Sequence, residues 1–169
     1  MENILKKASA IQLFIFDIDG VLTDGQIYLS EHHEIFKAFH VHDGVGIKML
    51  QDAGIHTAII TGSQSQIVQL RAKYLGIEYV YQVKEDKMPA YETLLAHLNL
   101  THDAVAYLGD DLPDLPLMRR VGLSIAVANA VSLVREHANW VTQASGGKGA
   151  AREACELILQ GKGLLNDIN

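Results

Sequence analysis

Carboxylates recur in this 169-residue chain directly behind short apolar runs. Leu13-Phe14-Ile15-Phe16 leads into Asp17-Ile18-Asp19-Gly20-Val21-Leu22-Thr23-Asp24, and Ala104–Leu108 leads into Gly109-Asp110-Asp111-Leu112-Pro113-Asp114. Ile55–Ile60 ends in Thr61-Gly62-Ser63, and Lys87 follows the run Tyr79–Tyr81 after a short loop. Brought together, Asp17 and Asp110 would repel each other unless a cation lay between them, and an all-oxygen set of ligands suits Mg²⁺. The Thr61 hydroxyl, the amide N–H groups of a helix start and the Lys87 ammonium would cradle an anion beside it. A carboxylate, with a reference pKa of ~3.9, is already ionised at neutral pH and needs no base to act as a nucleophile. Attack by Asp17 on a phosphoryl group gives an aspartyl phosphate. Asp19 can protonate the leaving oxygen and then activate the hydrolytic water. Alone, each of these residues reads as a helix cap, a turn former or a solvated lysine. Their succession along the chain carries the chemistry.

Such residues need strand ends to hold them. Leu13–Asp17, Ile55–Ile60, Ala104–Leu108 and Ser124–Val127 read as buried strands, with Tyr79–Tyr81 and Trp140–Val141 as weaker ones. Helical spacing separates them: Ile47 and Leu50 within Val45–Ala53, then Ile67, Leu70 and Tyr74 within Ile67–Leu75. It returns with Leu94, Leu95 and Leu98 in Ala90–Leu98, and with Ala154, Leu157 and Ile158 in Ala150–Leu159. The alternation predicts an α/β fold, a doubly wound parallel sheet with helices on both faces and ligands beyond the strands' carboxyl ends. Gly25–Val41 breaks it with two runs around Ser30-Glu31-His32-His33-Glu34 and predicts an inserted hairpin. Its Phe36 and Phe39 are placed to cover something apolar, such as another subunit. No composition break divides the chain, so residues 1–169 are expected to form one domain.

Composition narrows the function. Fourteen Lys+Arg against twenty Asp+Glu, a net charge of −6, argue against a nucleic-acid partner. The single cysteine, Cys155, excludes a disulfide scaffold and a Cys-only zinc site, and is expected to be a buried small apolar residue. The longest apolar runs fall far short of the ~20 residues of a membrane helix. No membrane association is expected, and a cytoplasmic location is. Phe14, Phe16, Tyr74 and Trp140 are expected to pack in the core. Gly44-Val45-Gly46 lacks the third glycine of a dinucleotide fingerprint, and Gly146-Gly147-Lys148-Gly149 lacks the spacing of a P-loop. His32, His33, His40 and His42 cluster on the hairpin and are expected at the surface or between subunits.

Taken together, Asp17-Ile18-Asp19, Thr61, Lys87 and Gly109-Asp110-Asp111 resemble the four motifs of the haloacid dehalogenase superfamily of phosphohydrolases. The resemblance implies Asp17 as nucleophile and metal ligand, and Asp19 as acid/base with its carbonyl on Mg²⁺. It implies phosphoryl binding by Thr61 and Lys87, a metal site completed by Asp110, and support from Asp111 and Asp114. The segments Asp19–Gly25, Phe39–Leu50 and Gly146–Ala150 resemble the capless branch of 3-deoxy-D-manno-octulosonate 8-phosphate phosphatases. That branch implies hydrolysis of this phosphorylated sugar acid in lipopolysaccharide core synthesis, no separate cap domain, and a homotetramer whose neighbouring subunits close each active site. His42, Asp43, Gly44, Arg71, Lys148 and Lys162 are the candidate substrate contacts, and Gly161-Lys162-Gly163-Leu164 resembles a tail reaching an adjacent site. Ser63 and His42 stand where the branch has arginines. Neither can clamp a carboxylate bidentately, so an eight-carbon and a nine-carbon sugar acid both stay open. A receiver-like phosphoacceptor module is the rival reading, with a non-catalytic oligomerisation subunit behind it. The DxD spacing opposes the receiver, because Asp19 would turn over a phosphoenzyme that a receiver must preserve.

Overall fold

The computed structural model describes residues 1–31 and 34–165. Its strands are β1 (Leu13–Phe16), β2 (Tyr28–Leu29), β3 (Glu34–Phe36), β4 (His56–Thr61), β5 (Tyr79–Gln82), β6 (Val105–Gly109), β7 (Leu123–Ala126) and β8 (Trp140–Val141). Its helices are α1 (Glu2–Ser9), α2 (Val41–Asp52), α3 (Gln66–Leu75), α4 (Met88–Leu98), α5 (Leu115–Met118), α6 (Ser132–His137) and α7 (Ala150–Gly161). Six strands form one parallel sheet in the order β5-β4-β1-β6-β7-β8. Strands β1, β6 and β7 are buried along their whole length, as an apolar run between two helical layers requires. The chain winds outward from β1 through β4 to β5, then crosses back to β6 and winds the other way. This reversal opens a crevice beyond the carboxyl ends of β1, β4 and β6.

Helix α7 packs against both α1 and α2. The α2–α7 crossing is close at Gly46, where a Cβ would stand 3.1 Å from the Arg152 Cα and 3.2 Å from the Cys155 Cβ. That contact accounts for a glycine whose spacing suggested a truncated nucleotide fingerprint. Cys155 itself is fully buried, as expected. No described helix is long and apolar enough to cross a membrane.

The hairpin exists as a separate two-stranded antiparallel sheet, β2–β3. Its second run is shorter than expected, because β3 ends at Phe36 and α2 already begins at Val41. Asp43-Gly44 looks like a turn in sequence but lies in the first turn of α2, where Asp43 accepts a hydrogen bond from the Arg152 amide of α7 at 2.9 Å. Ile27, Leu29 and Phe36 of the hairpin are at least half exposed. His32 and His33 lie outside the described residues, while the His40 and His42 rings meet edge to face at 5.0 Å.

Helix α3 corrects one expectation. It buries Val68, Ala72 and Leu75, whereas Leu70 and Tyr74 are 68% and 77% exposed. Both stripes have helical spacing. The one carrying the smaller residues faces inward, and Tyr74 is not a core residue. Phe14 and Phe16 are fully buried as expected, and Trp140 is half-buried.

Candidate active site

The first loop is shaped by one hydroxyl. Thr23, buried after β1, accepts from the amides of Gly20 and Gly25 at 3.3 Å each. The amides of Val21, Leu22 and Thr23 all donate to the Ile18 carbonyl. Gly20 takes φ +84°, and a Cβ there would overlap the Asp110 carboxylate. The glycine of the first acidic motif thus lets the β1 and β6 loops touch. Gly146 approaches the same loop from the other side, where a Cβ would collide with the Gly20 carbonyl. The glycine-rich segment before α7 is therefore a strap over the β1 loop.

Asp17, Asp19, Thr61, Gly62, Ser63, Lys87, Asp110, Asp111 and Asp114 line one open cavity of about 290 Å³ at the sheet's carboxyl edge. Lys87, only 4% exposed, sits at its floor. Its ammonium lies 3.1 Å from Asp17 Oδ2 and 2.7 Å from Asp114 Oδ1, and donates to the Tyr107 hydroxyl at 3.0 Å. Burial alone would lower the Lys87 pKa, but Asp17 and Asp114 outweigh it and hold the ammonium above its ordinary value. Tyr107 donates to Asp114 Oδ1 at 2.5 Å. Burial and the Asp114 charge push its phenol well up, so it stays protonated and donating.

Asp114 is saturated. Its Oδ1 takes Lys87 and Tyr107, and its Oδ2 accepts from the amides of Asp110 at 2.9 Å and Asp111 at 3.2 Å. Asp111 caps the turn that follows through the Leu112 amide, 2.7 Å away. Asp17 Oδ1, by contrast, is buried without a hydrogen-bond partner. Asp17, Asp110 and Asp114 each offer a carboxylate oxygen within 4.8 Å of the others. With no cation among them, burial and the neighbouring Asp114 charge raise the Asp17 carboxyl to about 6, against the pull of Lys87. Burial, then Asp114 and Asp17, push Asp110 to about 8. An orphaned carboxylate oxygen beside a second carboxyl whose charge burial and its neighbours disfavour, with carboxylate and hydroxyl oxygens around them, fits a hard divalent cation. Since the lone pairs of Asp114 are committed, Asp17 and Asp110 are the groups able to hold it.

The other candidates lie elsewhere in the chain. Gly44 and Arg71 line a separate hollow of about 390 Å³ with Val41, Val45, Lys48, Tyr74 and Leu75. The Arg71 guanidinium lies 5.3 Å from the Phe39 ring centroid and 5.6 Å from that of Tyr74. Asp43 is buried at the α2–α7 joint, His42 lies beside His40, and Lys148 is exposed on the glycine strap. Lys162 donates to the Ser9 carbonyl at 3.0 Å, at the end of α7 that packs on α1. None of the six lines the carboxylate cavity of its own chain.

Two residues at the site escaped sequence reasoning. Tyr107 looked like one more apolar strand residue. Lys37, one residue past β3, reaches Asp19 Oδ1 at 2.6 Å. A lone lysine between Phe36 and Phe39 was the available signal.

An acidic rim over a buried lysine, on a doubly wound sheet, defines a phosphohydrolase-type site, and the chain belongs to the haloacid dehalogenase-like hydrolases. The model of that family matches residues 74–153. The chain is 48% identical over 158 residues to the 3-deoxy-D-manno-octulosonate 8-phosphate phosphatase of Yersinia pestis, covering 94% of this chain and 84% of the relative. Among solved structures, a protein described as a probable YrbI-family phosphatase from Pseudomonas syringae superimposes with a TM-score of 0.96 at 55% identity, over 99% of this chain and 95% of that one. The 3-deoxy-D-manno-octulosonate 8-phosphate phosphatase of Moraxella catarrhalis, solved with magnesium, phosphate and the free sugar acid, gives 0.95 at 42% identity, over 99% and 96%.

Proposed function

We propose that this protein is a Mg²⁺-dependent phosphatase that hydrolyses 3-deoxy-D-manno-octulosonate 8-phosphate to the free sugar acid and phosphate. The observation that carries the reading is the orphaned Asp17 Oδ1, buried at the cavity rim beside Lys87 and Asp110. The likeness to phosphatases of that substrate supports the choice of sugar acid.

In this reading Asp17 attacks the phosphoryl group and becomes the aspartyl phosphate. Lys87, tied to Asp17 and Asp114, presents its charge to the phosphoryl oxygens, and Thr61 binds them from the end of β4. Asp19 gives its proton to the departing sugar hydroxyl, then takes one from the water that attacks the phosphoenzyme. Asp17 and Asp110, with the Asp19 carbonyl, would hold Mg²⁺, which supplies neutralising charge for the carboxylates and the phosphoryl oxygens. Asp114 fixes the Asp110 loop and Lys87 in place, and Asp111 shapes the turn.

The exposed apolar side chains of the hairpin support assembly into a homotetramer. In such an assembly Arg71, His42, Gly44, Lys148 and Lys162 would serve a neighbour's site, while Asp43, enclosed at the α2–α7 joint, would hold that face in place. A cytoplasmic location and a place in lipopolysaccharide core synthesis accompany this reading. Phosphate release measured across eight- and nine-carbon 2-keto-3-deoxy sugar acid phosphates, with and without Mg²⁺, tests it. The highest kcat/KM is expected for the eight-carbon ester, and only with the metal. A preference for the nine-carbon ester would reassign the substrate, and metal-independent turnover would refute the proposed chemistry.

A further inference from the structure

Two lysines enter the carboxylate cluster from different parts of the fold. Lys87 arrives from the loop after β5 and serves Asp17. Lys37 arrives from the hairpin, which is no part of the main sheet, and its ammonium stands 2.6 Å from Asp19 Oδ1. The Lys37 side chain is only 6% exposed, while that of Asp19 is 41% exposed and lines the open cavity. An ammonium is not withdrawn from water without an anionic partner to compensate it, and Asp19 is such a partner. The contact engages one oxygen of Asp19.

We infer that Lys37 is the positioning residue for the acid/base Asp19, and that the hairpin thereby reaches into the chemistry. This rests on the phosphatase reading above. Lys37 grips Oδ1 and so fixes the carboxyl plane, leaving Oδ2 to exchange protons over the cavity. The proton on Asp19 passes to the leaving alkoxide as the ester O–P bond breaks and the Asp17 O–P bond forms. Asp19 is then a carboxylate until water attacks the aspartyl phosphate and returns a proton to it. Through that interval the Lys37 ammonium balances its charge. Lys87 cannot do so, being committed to Asp17, Asp114 and Tyr107.

The consequence is selective. A substrate whose leaving group departs without a proton has little need of a well-held Asp19, whereas an alkoxide depends on it. The test is Lys37→Met and Lys37→Arg assayed with Mg²⁺ on methyl, phenyl and p-nitrophenyl phosphate, none of which carries a carboxylate. Using kcat/KM confines the readout to the steps up to phosphoenzyme formation. Lys37→Met is expected to lose roughly 10²-fold on methyl phosphate, about the value of a positioned general acid, and no more than about threefold on p-nitrophenyl phosphate. Lys37→Arg, which keeps the charge, is expected to recover most of the loss. Equal losses across the three esters would overturn the inference, as would unchanged rates on methyl phosphate. If Lys37→Met fails to fold, Lys37→Gln decides on the same series. Should the parent hydrolyse none of the three while still cleaving a sugar acid phosphate, the same variants are compared on that ester by kcat against KM. A loss confined to KM then refutes positioning. A parent inert on every ester refutes the phosphatase reading itself.

Discussion

Among the described residues, two regions of the molecule bury polar atoms without partners, and they differ in what surrounds them. At the rim, Asp17 Oδ1 is unpartnered but stands beside a 290 Å³ cavity open to solvent. At the α2–α7 joint, His40 Nδ1, Asp43 Oδ2 and Arg71 Nε are all unpartnered. The small hollow that His40, Asp43 and Arg71 share with Leu22, Phe39 and Ile47 has no room for a water molecule. Asp43 nevertheless has a structural task, accepting from the Arg152 amide in the first turn of α7. Burial of polarity is therefore not in itself the mark of a site. What distinguishes the rim is access, together with strand ends that bring charge from behind β1, β5 and β6 to one place.

The contrast predicts opposite responses to mutation. Asp17→Asn is expected to lower turnover by on the order of 10³-fold or more, as loss of a nucleophile does. It should not lower the melting temperature of the metal-free protein at pH 8, because it removes a buried carboxylate that burial already disfavours. Phosphate release and thermal melting on the same preparation check both halves. Substantial residual activity would break the nucleophile assignment.

A smaller effect follows from the raised carboxyl pKa values at the rim. Asp17 and Asp110 bind protons more tightly in the folded chain, at about 6 and about 8 against an ordinary 3.8. Their contribution to stability is thus full below about pH 4 and is lost as the pH climbs through about 6 and then about 8. Without metal, the melting temperature is expected to fall by a few degrees between pH 5 and 8.5, and saturating Mg²⁺ should flatten that slope. A metal-free protein that gains stability over this interval would contradict the picture.

The smallest change belongs to the joint. Asp43→Ala is expected to cost about 1 kcal/mol through the lost helix cap, or about 2–4 °C in melting temperature. Hydrolysis of p-nitrophenyl phosphate, which offers nothing for a sugar-acid contact, should stay within about twofold of the parent. A collapse comparable with that of Asp17→Asn would erase the distinction between the two regions.

Much of this was legible because a parallel sheet converts sequence order into spatial convergence. Asp17, Thr61 and Asp110 each follow a buried apolar run, and strand ends in such a sheet share one edge. The strands shifted by about one residue at most ends, since hydrogen bonding rather than hydropathy sets their limits. Short helices were missed where little is buried: α1 buries only Ala8 and α6 only Val134. The start of α2 was hidden because Asp43-Gly44 has the composition of a turn. Lys37 could not be placed, because nothing in the periodicity of a hairpin says where it docks. Tyr107 was concealed by its strand, where an inward hydroxyl and a plain aromatic have the same pattern.

Cys155 turns the α2–α7 contact into an experimental convenience. Its thiol is fully enclosed, and burial pushes its pKa well above the ordinary value, so alkylating reagents have no thiolate to meet while the two helices stay together. The chain has no other sulfhydryl. Labelling kinetics in native buffer would then clock the opening of the layer formed by α1, α2 and α7, with no probe to engineer.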